Sequence, residues 1–96
     1  MTKYEYEKTL VLSTAHISRL DNEAILSDDS LSCMSTDYAH IVMVDKDSRS
    51  QIKTLKSYGF SNAFLNIIRF ARKNGCQYIK FDCDGPVMDQ LTKFDW

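Results

Sequence analysis

Two carboxylates near the C-terminus form the pattern in this 96-residue chain that most directly suggests chemistry. A largely apolar stretch, 78–81, leads into Asp82 and Asp84, and Gly85 follows. Paired carboxylates at the end of a strand can hold Mg²⁺ between them. One of them can then attack phosphorus while the other acts as general acid and base. The spacing therefore suggests a small hydrolase or phosphotransferase centred on Asp82 and Asp84.

This string is similar to the nucleophile motif of haloacid-dehalogenase-type phosphotransferases, which implies Asp82 as the nucleophile and Asp84 as the general acid and base. The rest of that pattern is missing. Pro86 stands where the motif has threonine. Only the 12 residues 85–96 follow Asp84, whereas that family places the motif at the start of a large parallel sheet. We therefore favour a strand that ends in a turn, because a short motif needs its structural context.

A second group of polar side chains, Ser13, Thr14, His16 and Asp21, suggests a different hydrolase. A nucleophilic serine needs a base within about 3 Å and a third group that orients the base. On a strand, Ser13 and His16 project to opposite faces, and the sequence has no Gly-x-Ser-x-Gly elbow. We therefore expect Ser13, Thr14 and His16 to satisfy backbone groups where a strand turns into a helix.

Metal, cofactor and disulfide chemistry are not favoured by the spacing of the histidines and cysteines. His16, His40 and the cysteines lack the spacing of a zinc ribbon, finger or knuckle, so we predict no metal and no cofactor. Cys33, Cys76 and Cys83 are odd in number, which permits one disulfide but favours free, mostly buried thiols. No apolar run is long enough to span a bilayer, and the N-terminal segment lacks a secretory signal. We expect a cytoplasmic protein without membrane association.

The charged residues are strongly segregated along the chain. The net charge of −1 combines −5 over residues 1–45, +7 over residues 46–80 (eight basic, one acidic) and −3 over residues 81–96. Helical spacing places Arg49, Lys53 and Lys56 on one face. Such a surface suits phosphate or an acidic protein patch, although charged faces are also the normal exterior of helices. The basic residues of the block are Lys46, Arg49, Lys53, Lys56, Arg69, Arg72, Lys73 and Lys80.

Hydrophobic periodicity and capping residues place these groups on alternating strands and helices. Ser18 and Asp21 have capping-box spacing. Ser61 opens an amphipathic helix, and Gly75 follows where a left-handed residue ends it. The predicted strands are 9–15, 31–36, 39–44 and 78–82, with a turn at Asp37 and Tyr38. The predicted helices are 18–26 and 61–73, and between them a short helix or an ordered loop ends near Gly59. A short tail follows Gly85 and Pro86. This order predicts a single α+β domain over 1–96, a two-layer sandwich with one mixed sheet of about four strands and two or three helices on one side.

The same pattern predicts which residues are buried. Leu10 and Leu12 point to one face of the first strand and Val11 to the other. Because both faces are apolar, we expect this strand to lie in the centre of the sheet. The helical residues expected on buried faces are Leu20, Ala24 and Ile25 in the first helix, Ile52, Leu55 and Tyr58 in the second, and Phe64, Leu65, Ile67, Ile68 and Ala71 in the third.

Two stretches of the chain resemble a family of small bacterial proteins of unknown function. The first is LVLSTAHI over 10–17. The second begins with ARKNGCQY over 71–78 and ends with FDW over 94–96. Members of that family occur on plasmids, integrative elements and phages, so the resemblance implies an accessory role in a mobile genetic element and no established activity. It carries over no catalytic residues; the positions that match the pattern are Ser13, Thr14, His16, Asp82, Asp84 and Trp96.

We expect a non-catalytic accessory protein of a mobile genetic element that acts by protein–protein binding. Its partner would be an unidentified protein, such as a host defence complex that it inhibits as anti-restriction and anti-CRISPR proteins do. A domain of this size can supply the ~800 Å² that each side of an interface needs. Tyr38, Tyr58, Phe60 and Trp96 are candidate anchors, because aromatic residues are enriched in interface hot spots. The predicted binding residues are Arg49, Lys53, Lys56, Tyr58, Arg69, Arg72, Lys73 and Trp96.

Two alternatives remain open at this point. The basic 46–80 segment is also suited to nucleic acid, with Tyr58 and Phe60 stacking on bases, although the net charge of −1 disfavours binding by bulk electrostatics. The other alternative is a small hydrolase centred on Asp82 and Asp84 or on Ser13 and His16. The sequence determines neither the partner nor the oligomeric state.

Overall fold

A computed structural model of the chain describes residues 7–27, 33–35, 39–45 and 47–94. The predicted turn at Asp37 and Tyr38, together with Lys46 and Trp96, lies outside these ranges. The elements follow the predicted alternation of strands and helices. They are β1 (Thr9–Ser13), a 3-10 helix (Thr14–His16), α1 (Arg19–Ser27), β2 (Cys33–Ser35), β3 (Ala39–Met43), α2 (Ser48–Ser57), α3 (Asn62–Lys73) and β4 (Tyr78–Asp82).

The four strands form one mixed sheet in the order β1-β4-β3-β2. β1 and β4 run parallel, whereas β3 is antiparallel to both β4 and β2. β4, which comes last in the sequence, therefore lies between β1 and β3. The prediction of an α+β fold with one mixed sheet is confirmed, and the short strand within 31–36 lies at an edge as expected.

The two faces of the sheet differ in burial. Strand alternation and the register place the buried strand residues on one face, where they join a single apolar cluster with buried residues of all three helices. On the opposite face Val11 is 40% exposed and Met43 is 46% exposed. The helices therefore cover one side of the sheet, as predicted, and no helix of the described residues covers the other side, which we call the open face. The fully buried strand residues are Leu12, Val42, Ile79 and Phe81.

The position of β1 corrects one expectation. The apolar run Leu10-Val11-Leu12 predicts a central strand, but among the described strands β1 lies at the end of the sheet and pairs with β4 alone. Leu12 faces the core, while Val11 is on the open face. A short apolar run is compatible with both positions, because burial of the second face depends on partners that the run itself does not specify.

The first helix confirms the predicted cap and corrects the predicted buried face. The amide of Asp21 donates to Ser18 Oγ at 3.1 Å, as capping-box spacing requires. Leu20, however, is 76% exposed, whereas Asp21 and Ile25 are buried. The core-facing stripe thus runs through positions 21 and 25, and it includes a carboxylate that hydrophobic periodicity assigns to the solvent side.

The second and third helices form as the sequence predicts, with one correction. Ser61 Oγ caps α3 by accepting from the amide of Phe64 at 3.1 Å, and the stripe predicted for α3 is buried. Gly75 follows α3 with φ +74°, the left-handed conformation expected there. In α2, Leu55 is buried, but Tyr58 is 55% exposed because it lies at the C-terminal cap beyond the last helical turn.

Candidate functional site

The carboxyl ends of β1 and β4 meet at one edge of the sheet, because these two strands run parallel. The register places Ser13 opposite Asp82. The 3-10 helix continues from Ser13, and the turn at 83–85 continues from Asp82. Ligands of sheet proteins commonly bind outside the carboxyl ends of parallel strands. This edge brings together five of the six positions of the family-like pattern, namely Ser13, Thr14, His16, Asp82 and Asp84; the sixth, Trp96, lies outside the described residues.

His16 is fully buried at this edge, and both of its ring nitrogens hydrogen-bond to backbone groups. Nε2 accepts the amide proton of Met88 at 2.9 Å, and Nδ1 lies 2.9 Å from the carbonyl oxygen of Thr92. Because Nε2 is an acceptor, the proton of the neutral ring is on Nδ1, which donates to Thr92. Neither nitrogen is left to accept a proton from Ser13.

Ser13 and Thr14 also hydrogen-bond to backbone groups. Ser13 Oγ accepts from the amide of Ala15 at 3.1 Å and caps the 3-10 helix. Thr14 contributes its carbonyl oxygen, which accepts from the amide of Ile17 at 3.2 Å. The prediction that these residues satisfy backbone groups where the strand turns into the helix is confirmed for the Ser13 side chain and for the Thr14 carbonyl. His16 also bonds to backbone groups, but they belong to Met88 and Thr92, far along the chain.

Residues 85–94 form a strap across the end of β1, where the sequence predicts only a short tail. The amide of Ser13 donates to Pro86 O at 2.8 Å, and the amide of Phe94 donates to Ala15 O at 2.7 Å. Gly85 packs directly on β1, since a Cβ built there would lie 2.5 Å from Leu12 O. No hydrophobic period marks the strap, so only Gly85 and Pro86 signal it in the sequence.

Asp82 and Asp84 form the turn that the sequence analysis favours. Asp82 Oδ1 accepts the amide proton of Asp84 at 2.9 Å, and the carbonyl oxygen of Asp82 accepts from the amide of Gly85 at 2.9 Å. Asp82 Oδ2 lies 3.4 Å from Lys80 Nζ. The hydrogen bond from Asp84, followed by the interaction with Lys80, lowers the pKa of Asp82. Both oxygens of Asp82 therefore already have partners in the chain.

Asp82, Cys83 and Asp84 each have one potential ligand atom within 4.8 Å of the other two. The thiol of Cys83 is free and exposed, whereas that of Cys76 is free and buried. The turn thus has donor types that bind cations. Asp82, the most buried of the three, is the least available cation ligand. Its Oδ1 already accepts from the amide of Asp84, and its Oδ2 is paired with the ammonium group of Lys80.

We give the name basic face to the predicted basic residues that lie on α2 and α3. These two helices pack against each other, and all six basic side chains on them are exposed. Within the described ranges, none of the six forms an ion pair, and Arg69 donates only to Asn66 Oδ1 at 2.9 Å. Lys80 differs, because it is paired with Asp82. The basic face consists of Arg49, Lys53 and Lys56 on α2 and Arg69, Arg72 and Lys73 on α3.

The predicted aromatic anchors divide into exposed and buried residues. Tyr58 is exposed at the C-terminal cap of α2. Phe60 is 5% exposed and packs on Phe64 with ring centroids 4.6 Å apart. The prediction of Phe60 as an anchor or stacking residue is therefore wrong, because its ring belongs to the core. Tyr38 and Trp96 lie outside the described residues.

Comparison with known protein families identifies the family of this chain. The chain is a member of a family of unknown function (DUF5983, C-terminal domain), whose model matches residues 9–96. That range contains both the sheet edge and the basic face. Neither the curated proteins nor the solved structures contain a match to the chain. Among the described residues, no helix has the length and apolarity needed to cross a membrane.

Proposed function

We propose that this chain is a non-catalytic protein-binding module that uses its basic face to bind an acidic surface of a partner protein. The observation that carries the proposal is the set of six exposed cations on two packed helices. No acidic residue occurs between Ser48 and Lys73, and no ion pair neutralises these cations within the described ranges. By contrast, Arg19, Lys80 and Lys93 each lie within 3.4–3.5 Å of a carboxylate oxygen.

The charge arrangement on α3 includes a repulsion that a partner could relieve. Arg69 and Lys73 are spaced i,i+4, and like charges at that spacing destabilise a helix by roughly 0.2–0.5 kcal/mol. An acidic protein surface that covers the basic face would reverse the sign of this interaction. It would also steer encounter between the two proteins, because complementary potentials accelerate association.

Tyr58, at the C-terminal cap of α2, is an exposed aromatic residue suited to an interface. Its ring is 55% exposed at the end of α2, so a partner can bury the ring while its hydroxyl remains able to hydrogen-bond. A partner that also covers α2 and α3 would add to the ~800 Å² that a standard interface takes from each protein.

The biological setting that we propose is a mobile genetic element in a bacterial cytoplasm. The resemblance to proteins of plasmids, integrative elements and phages motivates this setting, and the small size of the domain suits a blocking protein. In that setting the partner is a host defence complex, which the chain inhibits by occupying a surface rather than by catalysis. The buried, fully hydrogen-bonded His16 supports the non-catalytic part of the proposal.

The binding proposal is tested with three forms of the purified chain. The first is the natural chain, the second carries Lys53→Gln, Lys56→Gln and Arg72→Gln, and the control carries Arg19→Gln and Lys93→Gln outside the basic face. We expect the first and third to retain the same protein from nuclease-treated bacterial lysate and the second to lose it. Equal retention by all three, or retention of nothing specific, would show that the basic face is not a protein-binding surface.

The same variants distinguish a protein partner from nucleic acid. We expect little retention of the chain on DNA or RNA at physiological salt. Binding that is tight at low salt, weakens steeply as salt rises and is lost in the triple variant would instead assign the basic face to phosphate groups. That result would replace the proposal with the nucleic-acid alternative.

The setting is tested in cells that carry an active restriction or CRISPR system. Expression of the chain should restore transformation by a targeted plasmid, whereas the triple variant on the basic face should not. Full defence activity in the presence of the well-folded natural chain, across a panel of such systems, would overturn the inhibitory role without affecting the binding result.

A further inference from the structure

We infer that the outer edge of β1 pairs with β1 of a second copy of this chain and forms a symmetric dimer with one continuous sheet. The inference rests on backbone groups and is independent of the basic face. Alternate residues of a strand direct their N–H and C=O groups to opposite sides. The carbonyl oxygen of Lys8 accepts from the amide of Gln77 at 2.8 Å, on the β4 side. The groups of Thr9, Val11 and Ser13 are therefore directed to the outer edge.

Two of these three outward residues are available for pairing. The amide of Ser13 already donates to Pro86 O at 2.8 Å, where the strap crosses the end of β1. Within the described ranges, the outward groups of Thr9 and Val11 make no hydrogen bond. Natural edge strands are usually protected by proline, a bulge or charged side chains, and Thr9–Ser13 contains no proline and no charged residue.

The available groups are complementary to a second copy of themselves. In an antiparallel pair with Leu10 opposite Leu10, Thr9 of each copy lies opposite Val11 of the other. Each such pair exchanges two N–H···O=C bonds, so the four donors and four acceptors of the two edges are all used. Two β-branched residues then face each other in each pair, which is a favourable cross-strand combination. The bond from Ser13 to Pro86 ends the pairing at this point on both copies.

Side-chain burial at β1 is consistent with this register. Val11 is 40% exposed on the open face, and Leu10 is only partly buried at the margin of the core. Pairing centred on Leu10 covers both residues and extends the core across the two-fold axis. Because β1 itself is uncharged, the register places no like charges opposite each other within the strand.

The test measures the oligomeric state of the full chain by sedimentation over a wide range of protein concentration. We expect a monomer–dimer equilibrium. Val11→Pro removes one inter-copy donor from each chain without removing a bond to β4, and it should raise the dimer dissociation constant about tenfold or more. The matched control is Met43→Lys, which changes the open face on an interior strand and should leave the equilibrium unchanged.

Three results would overturn the inference: a monomer at every concentration, a dimer that Val11→Pro does not weaken, or a dimer that Met43→Lys abolishes. Should Val11→Pro fail to fold, amide hydrogen exchange of the natural chain decides the question. The amides of Thr9 and Val11 must become protected as protein concentration rises, whereas an edge that only an extended segment of another protein covers would leave them unprotected at every concentration.

Discussion

His16 binds the strap to the rest of the domain through its imidazole ring. It accepts from Met88 and donates to Thr92. We expect His16→Ala to lower the free energy of unfolding by about 2–4 kcal/mol, because it leaves both backbone groups unpaired and creates a cavity. Urea unfolding measures this change. Lys93→Ala on the exposed side of the strap is the control, and an effect of His16→Ala no larger than the control would contradict the role.

His40 predicts a dependence of stability on pH. Burial lowers its pKa below the ordinary value of 6.5, so the unfolded chain takes up the proton more readily than the folded chain. The associated stability is fully present above pH 6.5 and is lost as pH falls through that value toward the lowered pKa of the folded state. We therefore expect a lower free energy of unfolding near pH 5 than near pH 7.

His40→Gln is the matched variant for this pH effect, because glutamine keeps a donor for Asn22 Oδ1, which His40 contacts at 2.7 Å. The difference in unfolding free energy between the two pH values should be smaller in the variant than in the natural chain. Asp82 does not affect this comparison. Its pKa is lowered, so the stability that its ionised form contributes is lost only as pH falls below the ordinary value of 3.8. An identical pH difference in both proteins would exclude His40 as its source.

Gly85 predicts an unusually large cost for a single added methyl group. A Cβ at this position meets the backbone of Leu12, which has little freedom to move, so we expect Gly85→Ala to cost about 2 kcal/mol or more. Gly75→Ala is the control, because its Cβ meets nothing and only its φ of +74° is unfavourable, at about 1 kcal/mol. Thermal unfolding compares the two, and equal costs would show that the crossing at Gly85 is not tight.

Local residue roles are predictable from the sequence here, and long-range ones are not. Ser18, Ser61 and Gly75 act on backbone groups within a few residues, so spacing alone identifies them. The partners of His16 lie 72 and 76 residues away along the chain. The spacing of Ser13 and His16 suggests a hydrolase or local bonds to the backbone, and nothing local indicates that the ring is buried under a strap.

At the scale of secondary-structure elements, Asp21 connects α1 to the beginning of α3. Its carboxylate accepts from the amide of Ser61 at 2.9 Å and from the Ser61 hydroxyl, and it is buried. A carboxylate at a helix N-terminus is stabilised by the free amides and the helix dipole. The hydrophobic face of α1 is thus only part of what positions that helix against α3.

We expect Asp21→Ala to destabilise the fold by about 1–3 kcal/mol, because the Ser61 amide and hydroxyl lose their buried acceptor. Glu23→Ala, on the exposed side of the same helix, is the control and should cost no more than about 0.5 kcal/mol. Chemical unfolding of both variants measures the difference. A similar small cost for both would mean that packing alone holds α1 to α3.

The errors in predicting elements have a common physical origin. Leu20 and Leu10-Val11-Leu12 are apolar, and apolar character alone does not fix the phase of a helix or the number of neighbours of a strand. Asp21 is buried where Ser61 donates to it, and β1 is an edge because β4 is its one neighbour among the described strands. Both facts depend on segments distant in sequence. By contrast, α3 is correctly predicted because its hydrophobic stripe and its capping residues lie within or next to the helix itself.

At the scale of the whole molecule, the segregated charge makes a prediction about stability that is separate from binding. Arg69→Gln should not destabilise the fold and should stabilise it by up to about 0.5 kcal/mol at low salt, since it removes the like-charge pair with Lys73 and keeps Lys73 in the last turn of α3, where the helix dipole favours a cation. The gain should vanish at high salt, where such interactions are screened. Thermal unfolding at two salt concentrations measures it, and a clear loss of stability would show that Arg69 serves the fold.

The interior position of β4 determines when the fold can be completed during synthesis. The bond between Lys8 and Gln77 closes a separation of 69 residues, and β1 has no other strand beside it within the described sheet. β1 must therefore remain unpaired until the chain has been made through β4 (Tyr78–Asp82). Such long-range pairing is slow to form and exposes apolar strands in the meantime. A chain that ends before Tyr78 would retain α2 and α3 but would leave β1 and β3 with no strand to join them.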